Sequence, residues 1–215
     1  MRPTVLIASL ALSLVPSLGR ADRGALTLEI GPAVTWWQSL PPPVGTGSGI
    51  SGSTYGGVAG IRYGLSNSVE VSATGFYEAP QAYAFSGVSL TTGGETLPGT
   101  LNASMSRWGA MIGARYVQGF VWRLHVGAEV GWNHEQSTKL DLVNVSNPSN
   151  PESYGLGLAN SGRDSLIFSP LVGVEWLVTD HWSIAFVPRI EVVLGAQAAA
   201  SLVLPVTVGY CWYVF

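Results

Sequence analysis

The stretch VWRLHVGAEVGWN, residues 121–133, alternates between two kinds of side chain. Trp122, Leu124, Val126 and the apolar residues at every second position after them share one face. Charged, polar and glycine residues occupy the other face. A period of two is typical of a β-strand, whose successive side chains point to opposite sides. The fold therefore depends on which of these two faces contacts the solvent.

The same alternation recurs along the chain, and no stretch shows a convincing helical period. We predict eight strands, at about 26–37, 54–63, 69–78, 105–117, 121–133, 165–177, 182–193 and 202–215. The last strand is apolar on both sides, so its inward and outward faces stay unassigned.

The predicted connections alternate in length. Short turns follow the second, fourth and sixth strands, whereas long segments rich in Gly, Ser and Asn span 38–53, 79–104 and 134–164. Short turns at one end and long loops at the other are typical of an antiparallel up-and-down meander. Because an open sheet would leave two unpaired edges, we predict an all-β, closed eight-stranded barrel.

Composition limits the class of protein. Charged residues make up 11% of the chain and hydrophobic residues 47%, which excludes a disordered polypeptide. The net charge of −3 offers no basic surface, so we expect no nucleic-acid partner. Cys211 is the only cysteine, which favours neither a disulfide framework nor a zinc site.

The N-terminus has the pattern of a secretory signal peptide. Arg2 precedes an uncharged apolar segment that is too short to span a bilayer as a helix, and small residues Gly19 and Ala21 flank Arg20. We expect a signal peptide over 1–21 and a barrel domain over 22–215.

Size and charge favour a barrel whose apolar face points outward, into lipid. The narrow interior of an eight-stranded barrel cannot hold the tryptophans, which, Trp37 aside, lie on the apolar faces. Aromatic residues at both ends of the strands would form the two girdles that mark lipid–water interfaces. The predicted interface aromatics are Trp36, Tyr55, Tyr63, Tyr77, Trp108, Tyr116, Trp122, Trp132, Trp176, Trp182 and Trp212.

The opposite faces carry charges of both signs. An arginine facing lipid near the midplane would cost about 2–4 kcal/mol, so we place these residues inside the barrel, where Arg and Glu can pair. The predicted lumen network is a lower group of Glu29, Arg62, Glu70, Arg115, Arg123 and Glu175 and an upper group of Glu78, Arg107, Glu129, Arg189 and Glu191. We interpret it as a structural plug. The alternative is a charged constriction that controls ion passage.

This arrangement resembles the small eight-stranded bacterial outer-membrane barrels of the OmpA/OmpX type. The resemblance rests on the signal peptide, RYGLSNSVEVSATGFYE (62–78), GVEWLVTDHWSIAFVPRIE (173–191) and the C-terminal GYCWYVF (209–215). It implies a location in the outer membrane and contact with its lipid. Unlike OmpA itself, the chain is expected to carry no peptidoglycan-binding domain after the barrel. The resemblance also implies that Tyr213 and Phe215 form a signal for the barrel-assembly machinery.

Catalysis is not indicated by any residue pattern. His134 and Ser137 lie in NHEQST (133–138), which we predict to be a loop, and their spacing does not put them on one face of a strand. His125 and Glu129 share a face but are too far apart for one metal ion. We expect no cofactor.

We therefore predict an outer-membrane barrel that acts structurally or through external loops, whose binding partner the sequence does not reveal. A small channel is the first alternative, a soluble periplasmic carrier the second and an outer-membrane enzyme the third.

Overall fold

The computed structural model describes residues 23–92, 94–143, 153–155, 161–194 and 198–213. The predicted signal peptide and Phe215 lie outside these residues. Within them, no helix has the length and hydropathy needed to cross a membrane.

The described residues form an antiparallel sheet of ten strands. The strands are β1 (Ala25–Leu40), β2 (Ile50–Gly64), β3 (Val69–Thr92), β4 (Glu95–Gly119), β5 (Trp122–Val143), β6 (Ser153–Gly155), β7 (Ser161–Leu177), β8 (Trp182–Phe186), β9 (Arg189–Leu194) and β10 (Ala199–Tyr213).

The sheet closes on itself. β1 pairs with β2 on one side and with β10 on the other, and the ladder continues through β3, β4, β5 and β7. β8 and β9 both lie between β7 and β10 in one unbroken register, so they are one strand interrupted at Val187 and Pro188. Proline has no N–H to donate to a ladder. The ring therefore has eight strand positions, as the sequence predicts, with β6 as a short addition beside β5.

One end of the barrel, which we call the short-turn end, holds the connections 65–68, 120–121 and 178–181. The first described residues and the end of β10 also lie there, since Ala25 pairs with Tyr213. The other end, which we call the long-loop end, holds the segment 41–49 and the tip of the β3–β4 hairpin.

The structure corrects the predicted loops 79–104 and 134–164. β3 continues to Thr92 and β4 begins at Glu95, so the first of these segments is mostly a long hairpin, and β5 runs on to Val143. Register shifts after Glu78, after Phe85 and after Asn102 reset the alternation of side chains. These β-bulges hide the period of two from a pattern search. We call residues 81–92, 95–105 and 137–143 the extension.

An apolar cluster fills the interior at the long-loop end. We call it the outer apolar core. It consists of Trp37, Leu40, Phe85, Val88, Leu101, Ala103, Met105, Leu140, Leu142, Val193 and Ala199. Apolar groups removed from water on this scale stabilise the extension through the hydrophobic effect.

Candidate functional site

All eleven residues of the predicted lumen network point into the barrel. Ten of them are buried, and Arg123, the eleventh, exposes only 10% of its side chain. The predicted interface aromatics lie on the opposite face, toward the outside of the barrel.

Arg62, on β2, is the centre of the network near the short-turn end. Its Nε lies 3.1 Å from Glu29 Oε2, its Nη1 3.0 Å from Glu70 Oε2 and its Nη2 2.5 Å from Glu175 Oε1. These carboxylates belong to β1, β3 and β7, so one planar guanidinium joins four strands. The fork of donors on arginine suits such a role, whereas the single ammonium of lysine does not.

Arg107, on β4, is the corresponding centre toward the long-loop end. It contacts Glu78, and its Nη2 lies 2.6 Å from Glu191 Oε2. Its guanidinium carbon lies 4.5 Å from the ring centroid of Trp37 and 4.8 Å from that of Phe76. A cation between two desolvated aromatic faces gains additional electrostatic attraction.

Arg115 joins the two predicted groups into one network. Its Nη2 lies 2.8 Å from Glu129 Oε1 and 3.6 Å from Glu29 Oε1. Glu129 in turn lies 3.8 Å from Arg189, which pairs with Glu191 at 3.0 Å. The lower and upper groups predicted from the sequence are therefore continuous.

Neutral polar side chains complete the network, and the sequence interpretation did not include them. Ser72 and Thr74 donate to Glu129 Oε1 at 2.8 and 3.1 Å, and Thr35 donates to Glu78 at 2.8 Å. The fully buried His125 shares a hydrogen bond of 3.1 Å with Glu175. The alternation of side chains indicates their orientation, because each of them lies at an inward position of a predicted strand. Trp37 also lies off the apolar face of its predicted strand, and the structure places it inside the barrel against Arg107.

The segment 133–138 is part of β5, so its interpretation as a loop is wrong. His134 points outward and lies 2.9 Å from Asp164, whereas Ser137 points inward and is buried. The two side chains therefore do not meet. Glu135 points inward, three residues after Trp132 along β5, and its carboxylate lies 2.8 Å from Arg163 Nη2. Burial raises the pKa of Glu135 above its ordinary value, although Arg163 opposes this shift.

The outward aromatic residues gather at two levels. Trp108 packs edge-on against Trp132 with ring centroids 4.8 Å apart, toward the long-loop end. At the short-turn end, Trp122 stacks on Trp176 at 5.8 Å and Trp182 contacts Tyr210 at 4.9 Å. Two such rims with aliphatic side chains between them are the pattern that a bilayer selects.

The described residues contain no group of three or more His, Cys, Asp or Glu side chains placed to hold a metal ion. The carboxylates of the lumen instead face guanidinium groups, which neutralise them.

Comparison with known proteins supports the architecture. No family model and no curated protein matches the chain. Among solved structures, Ail, the attachment invasion locus protein of Yersinia pestis, shares 10% identity over 88% of this chain and 99% of its own, with a TM-score of 0.55. Neisserial surface protein A shares 15% identity over 87% of this chain and 99% of its own, with a TM-score of 0.57. The outer membrane protein OprG from Pseudomonas aeruginosa shares 12% identity over 92% of this chain and 100% of its own, with a TM-score of 0.56.

At these identities the likeness concerns the fold. The fold is that of the small eight-stranded bacterial outer-membrane barrels, so the barrel predicted from the sequence and its resemblance to that class are confirmed.

Proposed function

We propose that this chain is an integral protein of the bacterial outer membrane, with a lumen closed by its own side chains, and that it acts without catalysis. The observation that carries the proposal is the distribution of side chains across the barrel wall. Apolar groups cover the outside between two aromatic rims, and ion pairs fill the inside.

The outer surface is unsuited to water. Ile30, Ile112 and Val172 lie between the rims and expose more than half of their side chains. An apolar belt around a whole barrel far exceeds the few hundred Å² that soluble monomers expose. Lipid removes this cost, and the closed ladder leaves no strand edge to be solvated within the bilayer.

The lumen is occupied at two levels. The ion-pair network joins opposite strands across the membrane-spanning part, and the outer apolar core fills the interior beyond it. Charged side chains that pair with one another across a narrow barrel leave little room for solute. This favours a structural plug over a constriction that conducts ions.

The surface available for recognition is then the extension together with the long loops. β3 and β4 continue well beyond Tyr77 and Trp108 as a paired hairpin, which presents side chains on a rigid base. Loops held by a rigid scaffold are the usual location of binding residues in such folds. We propose that the chain acts through this surface or as a structural component of the membrane.

The principal experiment combines fractionation with gel migration. The protein expressed in a Gram-negative host should stay with the outer membrane after carbonate extraction and should migrate differently on SDS gels before and after boiling. Release by carbonate would favour the soluble carrier and would contradict the proposal.

A second experiment concerns the lumen. Purified folded protein inserted in planar bilayers should give no discrete conductance steps. Reproducible steps that persist after removal of contaminating porins would establish the channel instead.

A further inference from the structure

The outer wall of the barrel carries an apolar groove of about 730 Å³, which we call the wall groove. It crosses β10, β1, β2, β3 and β4. Ile30 and Ile112 line it and are among the most exposed side chains of the wall, at 69% and 65%. Between them, the outward positions of β3 hold only Ala73 and Gly75, and Ala59 lies beside them on β2. The wall is therefore concave where a barrel is otherwise convex.

The strand register aligns the lining residues in two adjacent rows across the sheet. One row is Tyr210, Leu28, Ile61, Ala73 and Ile112, and the other is Val208, Ile30, Ala59, Gly75 and Ala110. Each step between paired strands covers about 4.8 Å, so the four steps from β10 to β4 give a path of about 19 Å. Because the strands of a membrane barrel are tilted, this path runs obliquely and fits within one leaflet, whose hydrocarbon is about 15 Å thick.

One end of the wall groove lies at the aromatic rim of the short-turn end. Trp182 and Tyr210 line the groove there, with ring centroids 4.9 Å apart. Tyr210 also packs against Trp212 at 5.3 Å and against His181 at 5.8 Å. Tyrosine and tryptophan at an interface place their rings in hydrocarbon and their polar atoms among lipid headgroups. This end of the groove is therefore at headgroup level.

The other end of the wall groove lies in the hydrocarbon. Ile112 is four residues from Trp108, on the outer aromatic rim, and four from Tyr116, on the rim of the short-turn end. A molecule that fills the groove from its headgroup end thus reaches the middle of the bilayer. An acyl chain of a lipid follows the same course.

An acyl chain also suits the shape of the groove better than a second barrel does. The walls of two barrels are both convex, so their contact would leave the groove unfilled. Unfilled space forfeits dispersion contacts. A flexible chain of methylene groups can follow the oblique path between Ile30 and Ile112. The groove is continuous with the lipid-facing surface, so an acyl chain enters it without crossing a polar region.

We propose that the wall groove binds one acyl chain of a phospholipid from the leaflet at the short-turn end, with its headgroup beside Trp182 and Tyr210. The inference deepens the proposed function, because it rests on the membrane location and assigns one lipid to one place on the wall. The recognised feature is a linear acyl chain, since the lining of the groove between the rims is apolar.

The experiment titrates the purified, folded protein in detergent with dipalmitoyl phosphatidylglycerol and measures the bound fraction by native mass spectrometry. We expect a saturable complex with one phospholipid per chain. Each sample is also run on SDS gels before and after boiling, which reports whether the barrel is folded. The absence of a saturable complex on a folded barrel would overturn the inference.

A matched pair of variants locates the bound chain. Ala59→Leu fills the wall groove, whereas Ala114→Leu makes the same change at an outward position of β4 that does not line it. We expect the apparent Kd to rise at least about tenfold in Ala59→Leu and less than about twofold in Ala114→Leu, because displacing a few methylene groups accounts for such a factor. Equal effects in the two variants would overturn the inference.

A second lipid tests the chain itself. Diphytanoyl phosphatidylglycerol has the same headgroup but carries methyl branches along both chains. The branches overfill a groove shaped for a linear chain, so we expect the unsubstituted protein to bind this lipid at least about fivefold more weakly. Equal affinities would overturn the recognition of a linear chain. This comparison needs no variant, so it decides the question even where Ala59→Leu fails to fold.

The same spectra test the other occupant and the barrel. A dimer that is lost in Ala59→Leu and retained in Ala114→Leu would assign the groove to a second copy of the chain and overturn the proposal. A heat-modifiable barrel that binds no phospholipid contradicts only the lipid site, whereas the loss of heat-modifiable migration contradicts the proposed function.

Discussion

Strand β4 passes through two regions that bury opposite kinds of residue. In its first half, within the extension, Leu101 and Met105 point inward while Asn102 and Ser104 point outward. In its second half, Arg107 and Arg115 point inward, whereas Trp108 and Ile112 point outward. The change occurs over the few residues around the outer aromatic rim.

In both regions the alternation of side chains specifies the strand, whereas the surrounding solvent specifies which side chains point inward. Outside the bilayer the wall faces water, so the extension folds as a soluble sheet does, around an apolar core. Within the bilayer the wall faces hydrocarbon, and charged groups gain by pairing in the lumen. A single strand satisfies both rules because its backbone hydrogen bonds are the same in each region.

Reversing a charge in the lumen should have the largest effect. Glu129 is fully buried between Arg115 and Arg189, so Glu129→Lys would set three cations against one another. Breaking a buried ion pair costs about 3–5 kcal/mol, and we expect a loss of at least this size in the free energy of unfolding. The measurement is urea-induced unfolding in lipid vesicles.

The matched control is Glu95→Lys, the same reversal at an exposed position of the extension, where we expect almost no change. If Glu129→Lys were as stable as the control, the lumen would be open and aqueous.

A cavity in the outer apolar core should have the next largest effect. Leu101 is fully buried, and Leu101→Ala should reduce the stability of the extension by about 2–5 kcal/mol. Hydrogen exchange should show faster exchange in residues 81–105, with heat-modifiable migration retained because the membrane-spanning part is intact. The outward variant Asn102→Ala serves as control. Loss of the whole barrel would mean that the two regions unfold as one unit.

The free-energy cost of an arginine on the outer face should show directly whether that face contacts lipid or water. Ile112→Arg places an arginine at an outward position between the rims, and we expect a cost of about 2–4 kcal/mol. Asn102→Arg places the same residue outward on the same strand, within the extension, and should cost close to nothing. Equal costs, measured by unfolding in vesicles, would remove the distinction between the two regions.

Removing an ion pair at the boundary should have the smallest effect. Arg163 is partly exposed where it pairs with Glu135, so Arg163→Ala should change the free energy of unfolding by less than about 1 kcal/mol. The pKa of Glu135 should rise further, since the cation that opposes the effect of burial is lost. Titration of the Glu135 carboxyl by NMR measures this shift, and an unchanged pKa would show that the pair does not form.

Much of the fold was accessible from the amino-acid sequence, because a period of two is a local property. Val126 and Trp132 on one face and Arg123 and Glu129 on the other suffice to place their strand in a barrel wall. The bulges of β3 and β4 break that period, so the pattern predicts a loop over 79–104 where the structure has a hairpin. The alternation of β1 already sets Trp37 off the apolar face, but its contact with Arg107 follows only from the closed ring.

Alternation and composition, which act residue by residue, were enough to predict the eight membrane-spanning strands, the faces of all but the last, and the polarity of the lumen. Which carboxylate pairs with which guanidinium depends instead on the closed barrel. Arg62 joins residues on four strands, and Arg115 connects two groups that the sequence separated. Those pairings depend on the shear and closure of the ring, which bring together strands that are distant along the chain.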